Sequence, residues 1–324
     1  MRAMMIVNPH ATATTERRRD LLAHALAAEV RLVVAQTDGR GHAAELAAKA
    51  VASGAELLVV HGGDGTVNEV VNGMMAARSA PGNDASAHPM LAVVPGGSTN
   101  VFARAMGMDP DPVLATEQIL EALVVRQPPR TISLGLVDDR YFTFNAGLGL
   151  DAEVVKAVED RRATGRAISN MLHVRKAVVQ YFRTERREPR LTMTIDQQVP
   201  VDVHLVFASN VDPWTYFESR PVRTNPGTSP DGGLGVFALT SMRLPSVLRV
   251  AGQLVRVKAE PRSSKLIRQD SVNRVTVTCT DPVGLQVDGD YLGVRDRATF
   301  RSVPDALQVL TGVPARLRRA NPAL

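Results

Sequence analysis

The chain has 324 residues, a net charge of +5 and a pI near 9.7, with 44% hydrophobic and 4% aromatic residues. That length supports two domains with cores large enough to need no disulfide or structural metal; the single cysteine, Cys279, excludes an internal disulfide and fits a reducing cytoplasm. The N-terminal run lacks a secretory-leader pattern and no apolar run reaches the roughly 18 residues of a membrane span, so any work on a membrane is expected from its aqueous side.

In chain order, residues 3–7 read as a buried strand ended by Asn8-Pro9, and a helix with Leu21, Leu22, Ala25 and Leu26 on one face follows. Residues 30–35, 56–60 and 90–94 read as further strands. Residues 43–52, 66–78, 99–106 and 112–123 read as helices, and the Pro/Gly/Asn/Asp-rich stretch 79–89 reads as a surface loop. Short apolar strands alternating with amphipathic helices predict a parallel sheet covered on both faces.

After Pro128-Pro129 the pattern becomes β-rich. Residues 131–137 and 140–144 flank Asp138-Asp139 as a hairpin, and 191–195 and 201–208 flank another turn. Residues 234–239, 274–280, 284–287 and 298–303 continue the strands, while helical stretches near 152–159, 168–182 and 246–257 interrupt them. The final segment, 304–310, reads helical and is expected to pack back on the first domain. The predicted fold is therefore α/β plus β. An N-terminal α/β domain (1–130, joined by 304–324) precedes a C-terminal β-sandwich-like domain (131–303).

The strongest chemical signal lies in residues 56–73, ELLVVHGGDGTVNEVVNG. A buried strand runs into His61-Gly62-Gly63-Asp64-Gly65, and Thr66 with Glu69 reads as a capping box opening a helix. Glycines between a strand end and a helix N-terminus let backbone approach a phosphate, and free N–H groups with the helix dipole favour an anion. No Gly-Lys pair occurs in the chain, so this is not a Walker A loop. Instead Asp64 sits in the turn. A carboxylate there is repulsive to phosphate unless a metal intervenes or it accepts a hydroxyl hydrogen bond.

A second turn, LAVVPGGSTN over residues 91–100, repeats the strand, glycine turn and helix arrangement. In a parallel sheet both turns fall at the carboxyl edge, where ligands bind.

With Asn68, Glu69 and Phe102-Ala103-Arg104, these two turns resemble the diacylglycerol kinase catalytic-domain family, which includes bacterial soluble lipid kinases and is related to sphingosine kinases and, more distantly, NAD kinases. The resemblance extends to Asn8-Pro9, to Thr37 with Gly41-His42, to Phe144-Asn145-Ala146-Gly147 with Gly149, to Asp231-Gly232 and to Asp288-Gly289-Asp290. It implies an ATP-dependent lipid kinase, most simply diacylglycerol to phosphatidate, with a nucleotide site between the two domains. Carried over by position, Asn8, Thr37, Gly62, Gly63, Asp64, Gly65, Thr66, Val67, Asn68 and Ser98 would hold ATP. Asp231, with backbone groups of Thr228 and Gly233, would hold Mg2+. Asp290 would take the proton from the lipid hydroxyl, with Asp64 the rival base.

The chain departs from the family pattern at His10-Ala11-Thr12 after Asn-Pro, at Gly235 where a second acid is usual, and at Asp290 where glutamate is usual. The resemblance also implies a peripheral association with the inner face of the membrane and allows a homodimer. Nine basic residues against two acidic ones between Arg161 and Arg190 suit an anionic membrane surface. Within that stretch Ile168, Met171, Leu172, Tyr181 and Phe182 are apolar, and Trp214-Thr215-Tyr216-Phe217 either lines an acyl pocket or forms a core cluster. Two rival readings stand beside this one: the same fold acting on a sphingoid base, ceramide or phosphatidylglycerol, and a non-catalytic nucleotide- or membrane-binding regulator. No nucleic-acid module appears, so no nucleic-acid partner is expected.

Overall fold

A computed structural model describes residues 1–80, 88–149, 152–153, 155–156, 188–217, 220–254, 256 and 259–312. The chain forms two compact units, Met1–Ile132 joined by the segment from Asp305, and Ser133–Pro304.

The first unit alternates strands and helices: β1 (Arg2–Val7), α1 (Glu16–Ala27), β2 (Arg31–Gln36), α2 (His42–Ala52), β3 (Leu57–Gly62), α3 (Asp64–Arg78), β4 (Met90–Pro95), α4 (Val101–Ala105) and α5 (Pro112–Val124). β3 is buried at every position, as a continuous apolar run in a sheet covered on both faces should be. α1 opens on Thr15, whose side chain accepts from the Arg18 N–H. α5 opens on Asp111 with Pro112 in its first turn. The strands pair in parallel in the order β4-β3-β1-β2. The chain leaves β1 for β2 on one side and continues through β3 to β4 on the other. The topology therefore reverses between β1 and β3, and the crevice outside their carboxyl ends is where open α/β sheets bind ligands.

The second unit contains β5 (Arg130–Val137), β6 (Arg140–Phe142), β7 (Asn145–Leu148), β8 (Leu191–Ile195), β9 (Val201–Val203), β10 (Leu205–Ser209), β11 (Thr215–Phe217), β12 (Arg220–Val222), β13 (Leu234–Leu239), α6 (Leu244–Leu254), β14 (Leu266–Val272), β15 (Arg274–Val287) and most of β16 (Asp290–Val309). Antiparallel pairing runs β14-β13-β10-β7-β15-β16. The other half of β15 pairs with β8, which pairs with β9. One core of Phe142, Leu148, Met193, Val236, Val277 and Phe300 joins these strands. A second cluster of Leu205, Phe207, Phe237, Leu239 and Met242 lies under Val250 of α6.

Four expectations change. Residues 304–310 are not a helix but the end of β16. Val309 pairs in parallel with Leu91, and the Leu310 N–H donates to the Leu91 carbonyl. A short apolar run carries no periodicity that separates helix from strand, and here the ladder of β4 decides. Residues 274–280 and 284–287 are one strand whose register shifts between Thr278 and Val283, across Pro282, which has no N–H to give a ladder. Residues 201–208 are two strands, because the His204 N–H turns to the Leu239 carbonyl. β6 stops at Phe142, since the next backbone N–H groups are bound elsewhere, as shown below.

The helix expected over 168–182, nearly all of the basic stretch 161–190 and most of the loop 79–89 lie outside the described residues. Among the described residues no helix is long and apolar enough to cross a membrane.

Candidate functional site

In the first unit the expected site residues gather at the carboxyl edge of the parallel sheet. Asn8 follows β1, Thr37 follows β2, residues 62–66 follow β3 and residues 96–100 follow β4. Asn8 Nδ2 donates to Thr66 Oγ1 at 3.0 Å, across the point where the topology reverses. The Asn8 N–H donates to the His61 carbonyl, and the Ala13 N–H to the Gly96 carbonyl, so the loop after β1 is tied to both glycine turns.

Those turns touch each other backbone to backbone. A Cβ on Gly96 would lie 2.9 Å from Gly62 Cα, and one on Gly97 would lie 2.7 Å from Gly63 Cα. Gly96 and Gly97 are thus required by contact between the turns, before any ligand is considered, while a Cβ on Gly62 would lie 2.8 Å from Thr66 of its own turn. Asn100 closes the second turn, its Oδ1 accepting from the Gly97 N–H at 2.9 Å and its Nδ2 donating to the Gly97 carbonyl.

Thr66 is not the N-cap of α3. The helix begins two residues earlier at Asp64, its N-cap is Gly63, and no side chain caps it. The presumed capping partners work outward instead: Thr66 accepts from Asn8, and Glu69 Oε1 accepts from the Gly41 N–H at 2.9 Å. Asp64 turns to the neighbouring helix, with Oδ2 and Oδ1 accepting from the N–H groups of Val101 and Phe102 at 3.0 and 3.2 Å. Of the two helices that follow the glycine turns, α4 has its first turn bound by a carboxylate, whereas α3 presents an N-terminus with no side-chain cap. An anion is therefore directed to α3.

Thr37 is buried and its N–H donates to the Val7 carbonyl, while Ser98 is exposed at the tip of the second turn. Val67 and Asn68 are buried; the Val67 N–H donates to the Gly63 carbonyl, and Asn68 accepts from Asn72.

His61, read with the first glycine turn and given no role, is instead a residue of β3 and is fully buried. Its Nε2 lies 3.0 Å from Thr14 Oγ1 and its Nδ1 lies 3.2 Å from the Val94 carbonyl. Burial pushes its pKa below the ordinary value, outweighing the opposing backbone hydrogen bond, with the positive charge of Arg18 adding to the depression.

In the second unit, Asp288 and Asp290 have different surroundings. Asp288 and Gly289 both have positive φ, forming a tight turn that joins β15 to β16. Asp288 is buried and its carboxylate accepts from the N–H groups of Thr143, Phe144 and Asn145 and from Thr143 Oγ1, at 2.7 to 3.0 Å. That is why β6 ends where it does. Burial raises the Asp288 pKa, against the lowering pull of those donors. Asp290, the expected base, is half-buried at the start of β16 opposite Val287. Asn145 bridges the region, its Nδ2 donating to the Trp214 carbonyl and its Oδ1 accepting from Gln286 Nε2 at 2.7 Å. Trp214 itself packs on Phe207 with ring centroids 5.3 Å apart, at the margin of the second core cluster.

The proposed metal residues lie on the turn before β13. Asp231 is exposed and accepts from Ser229 Oγ; Thr228 is buried. Gly233 is fixed by close packing, since a Cβ there would lie 2.6 Å from the Ser271 carbonyl carbon. At Gly235 a Cβ would run into Thr228 Oγ1 and lie 2.8 Å from Asn225 Cβ, so the acid usual in the family has no room. Sequence reading missed Asp270, which no motif marks: its Oδ1 accepts from Asn225 Nδ2 at 2.8 Å and from Thr228 Oγ1 at 3.2 Å. Among the described residues no three His, Cys, Asp or Glu side chains converge on one point. The donor set of the turn is one carboxylate and backbone carbonyls. Such hard oxygen ligands fit a magnesium ion that keeps several waters.

A sequence model of the diacylglycerol kinase catalytic domain matches residues 2–128. The diacylglycerol kinase of Bacillus subtilis (strain 168) is 30% identical over 261 residues, covering 78% of this chain and 77% of that protein. The diacylglycerol kinase of Staphylococcus carnosus (strain TM300) is 35% identical over 99 residues, 31% of this chain and 28% of that protein. A solved structure of a diacylglycerol kinase from Bacillus anthracis (strain Sterne) superposes with a TM-score of 0.70 at 17% identity, covering 96% of this chain and 97% of that one, a likeness of fold.

Proposed function

Because the chain belongs to the diacylglycerol kinase family and is a phosphotransferase of the lipid-kinase type, we propose that it transfers the γ-phosphoryl of ATP to the hydroxyl of diacylglycerol, giving phosphatidate. One observation carries the nucleotide assignment. At the β1/β3 reversal, two glycine turns are locked together beside a helix N-terminus that no side chain caps, while the competing N-terminus of α4 is bound by Asp64. At the glycine turns a polyphosphate is directed to the N-terminus of α3, and the residues around it are Asn8, Thr66 and the backbone of residues 62–66.

In the reaction the acceptor oxygen attacks the γ-phosphorus, the bond to the bridging oxygen of ADP breaks, and the hydroxyl proton passes to a carboxylate. Both oxygens of Asp64 accept backbone N–H groups, which favours a positioning role for Asp64 and leaves Asp290 as the proton acceptor. Asp290 is a methylene shorter than glutamate, and a misplacement of about 1 Å costs on the order of a hundredfold in rate. The acceptor hydroxyl must therefore come closer to the backbone here. Asp231 and the carbonyls of Thr228 and Gly233 are the groups that would hold magnesium, which when bound supplies positive charge against the anionic reactants. Thr228 and Asn225 are themselves held by Asp270, so the turn keeps its shape without an acid at position 235.

The test is phosphoryl transfer from labelled ATP with magnesium to a panel of acceptors in mixed micelles. Labelled phosphatidate is the expected product. Label on a sphingoid base, ceramide or phosphatidylglycerol instead would replace the acceptor. Absence of calorimetric heat with ATP and with ADP in the presence of a divalent cation would overturn the nucleotide assignment.

A further inference from the structure

α6 has two apolar faces, and only one is used by the core. Val250 is buried, and Val247 and Leu254 pack beside it on the cluster of Phe207, Phe237 and Leu239. On the other side, Leu244 and Leu248, one turn apart, stand 43% and 61% exposed. Leucines that exposed on a helix whose inner face is already satisfied are surplus to folding.

The surroundings of this outer face are basic. Between residues 243 and 268 the sequence holds seven basic residues and one acidic residue, Glu260. Glu260 is paired with Arg262 at 2.7 Å, which leaves the local charge strongly positive. Leu248, Arg249, Gly252, Gln253, Arg256 and Arg262 line a concavity of about 530 Å³. Gln253 holds its far wall, with Oε1 accepting from the Arg262 N–H at 2.9 Å and Nε2 donating to the carbonyls of Arg249 and Arg262. Nearby, Nη1 of Arg268 is buried with no hydrogen-bond partner, beside Pro261, Ser263 and Leu266. A guanidinium nitrogen placed so is short of a hydrogen-bond acceptor.

We propose that this face of α6 is a docking surface for an anionic phospholipid bilayer. Leu244 and Leu248 enter the boundary between headgroups and acyl chains, and Arg249, Arg256 and Arg262 meet lipid phosphates around the concavity. The combination of an exposed apolar stripe with arginines on its flank is that of an interfacial helix, and cationic residues next to it supply the attraction to an anionic leaflet. The proposal rests on the reading that the acceptor is a membrane lipid, but its readout is binding, not turnover.

The full chain is sedimented with vesicles of phosphatidylcholine alone and of phosphatidylcholine with phosphatidylglycerol. The wild type is expected to partition onto the anionic vesicles and not the neutral ones. Arg249→Glu with Arg256→Glu is expected to weaken that partition by roughly 25-fold or more. Leu248→Ser is expected to weaken it while leaving its salt dependence in place. All three positions are exposed, so circular dichroism and melting should be unchanged, and phosphorylation of a short-chain acceptor dispersed without vesicles should be kept. Equal partition of wild type and variants would overturn the proposal, as would equal binding to both vesicle types, or a Leu248-dependent dimer with no vesicle binding. If the wild type phosphorylates no lipid at all, the functional assignment fails while the vesicle result still decides this surface.

Discussion

Val101 donates its backbone N–H to the carboxylate of Asp64 across 3.0 Å, so the acid of the first glycine turn caps the helix that follows the second. Asp64→Ala removes this bond and its companion from Phe102, and a lost cap of this kind costs about 1–2 kcal/mol. Asp64→Asn keeps one acceptor but turns an amide NH2 toward a backbone donor. Both variants are expected to lose lipid phosphorylation, with Ala showing the lower urea midpoint. A midpoint unchanged in both would show that the cap carries little of the fold, and full activity would remove Asp64 from the site.

Gly97→Ala drives a methyl against Gly63 Cα, backbone on backbone, where neither side has a flexible end to give way. We expect a loss of roughly 1–3 kcal/mol together with loss of calorimetric ATP binding. Gly39→Ala is the control. Nothing lies within 4 Å of a Cβ there, and that variant should bind and melt as the wild type does.

Gly235→Asp, the change that restores the family's usual acid, should damage this chain. Its side chain enters space held by Thr228 and Asn225, which in turn hold Asp270. Thermal melting should fall, and Thr228→Ala in the same chain should recover part of the loss, with a coupling energy of about 1 kcal/mol or more in a double-mutant cycle. Additive effects would mean that the two positions do not compete for one space.

His61 and Asp288 pull the pH dependence of stability in opposite senses. Burial lowers the His61 pKa from the ordinary 6.5. Its contribution is complete above that value and is lost as pH falls through the lowered native one, because the unfolded chain takes the proton first. Burial raises the Asp288 pKa from the ordinary 3.8, so its contribution is complete below that value and is lost as pH rises through the raised native one. Urea titrations from pH 4 to pH 8 check both. His61→Gln should flatten the loss seen on acidification below pH 6.5. Asp288→Asn should remove the loss seen on raising pH above 3.8, on top of a general cost of roughly 1–3 kcal/mol for disturbing four donors.

The first unit was readable because its signals are local. A strand such as β3 opens with four buried apolar residues and ends in glycine, and the spacing of strand and helix dictates a parallel sheet. Those features placed both glycine turns at one sheet edge without any long-range information, and the family resemblance added Asn8 and Thr37. Partner choice was not readable. Thr66 and Glu69 have the spacing of a capping box, yet each finds a better-placed partner on another element, Asn8 and the Gly41 N–H. The glycines invited a phosphate explanation, and the structure adds an earlier one, the contact of turn with turn.

By itself, then, the sequence determined the element order of the first unit as far as residue 124, the α/β-plus-β class and the two glycine turns, because backbone propensity and hydrophobic periodicity act over a few residues. Tertiary structure alone decided that residues 304–310 extend as a strand beside Leu91. It also decided that Asp64 serves α4, that Asp270 stands behind the turn of Asp231, and that α6 carries leucines the core does not need. Each of these depends on groups tens to hundreds of residues apart or on which face of an element is left uncovered, and neither quantity is encoded in local spacing.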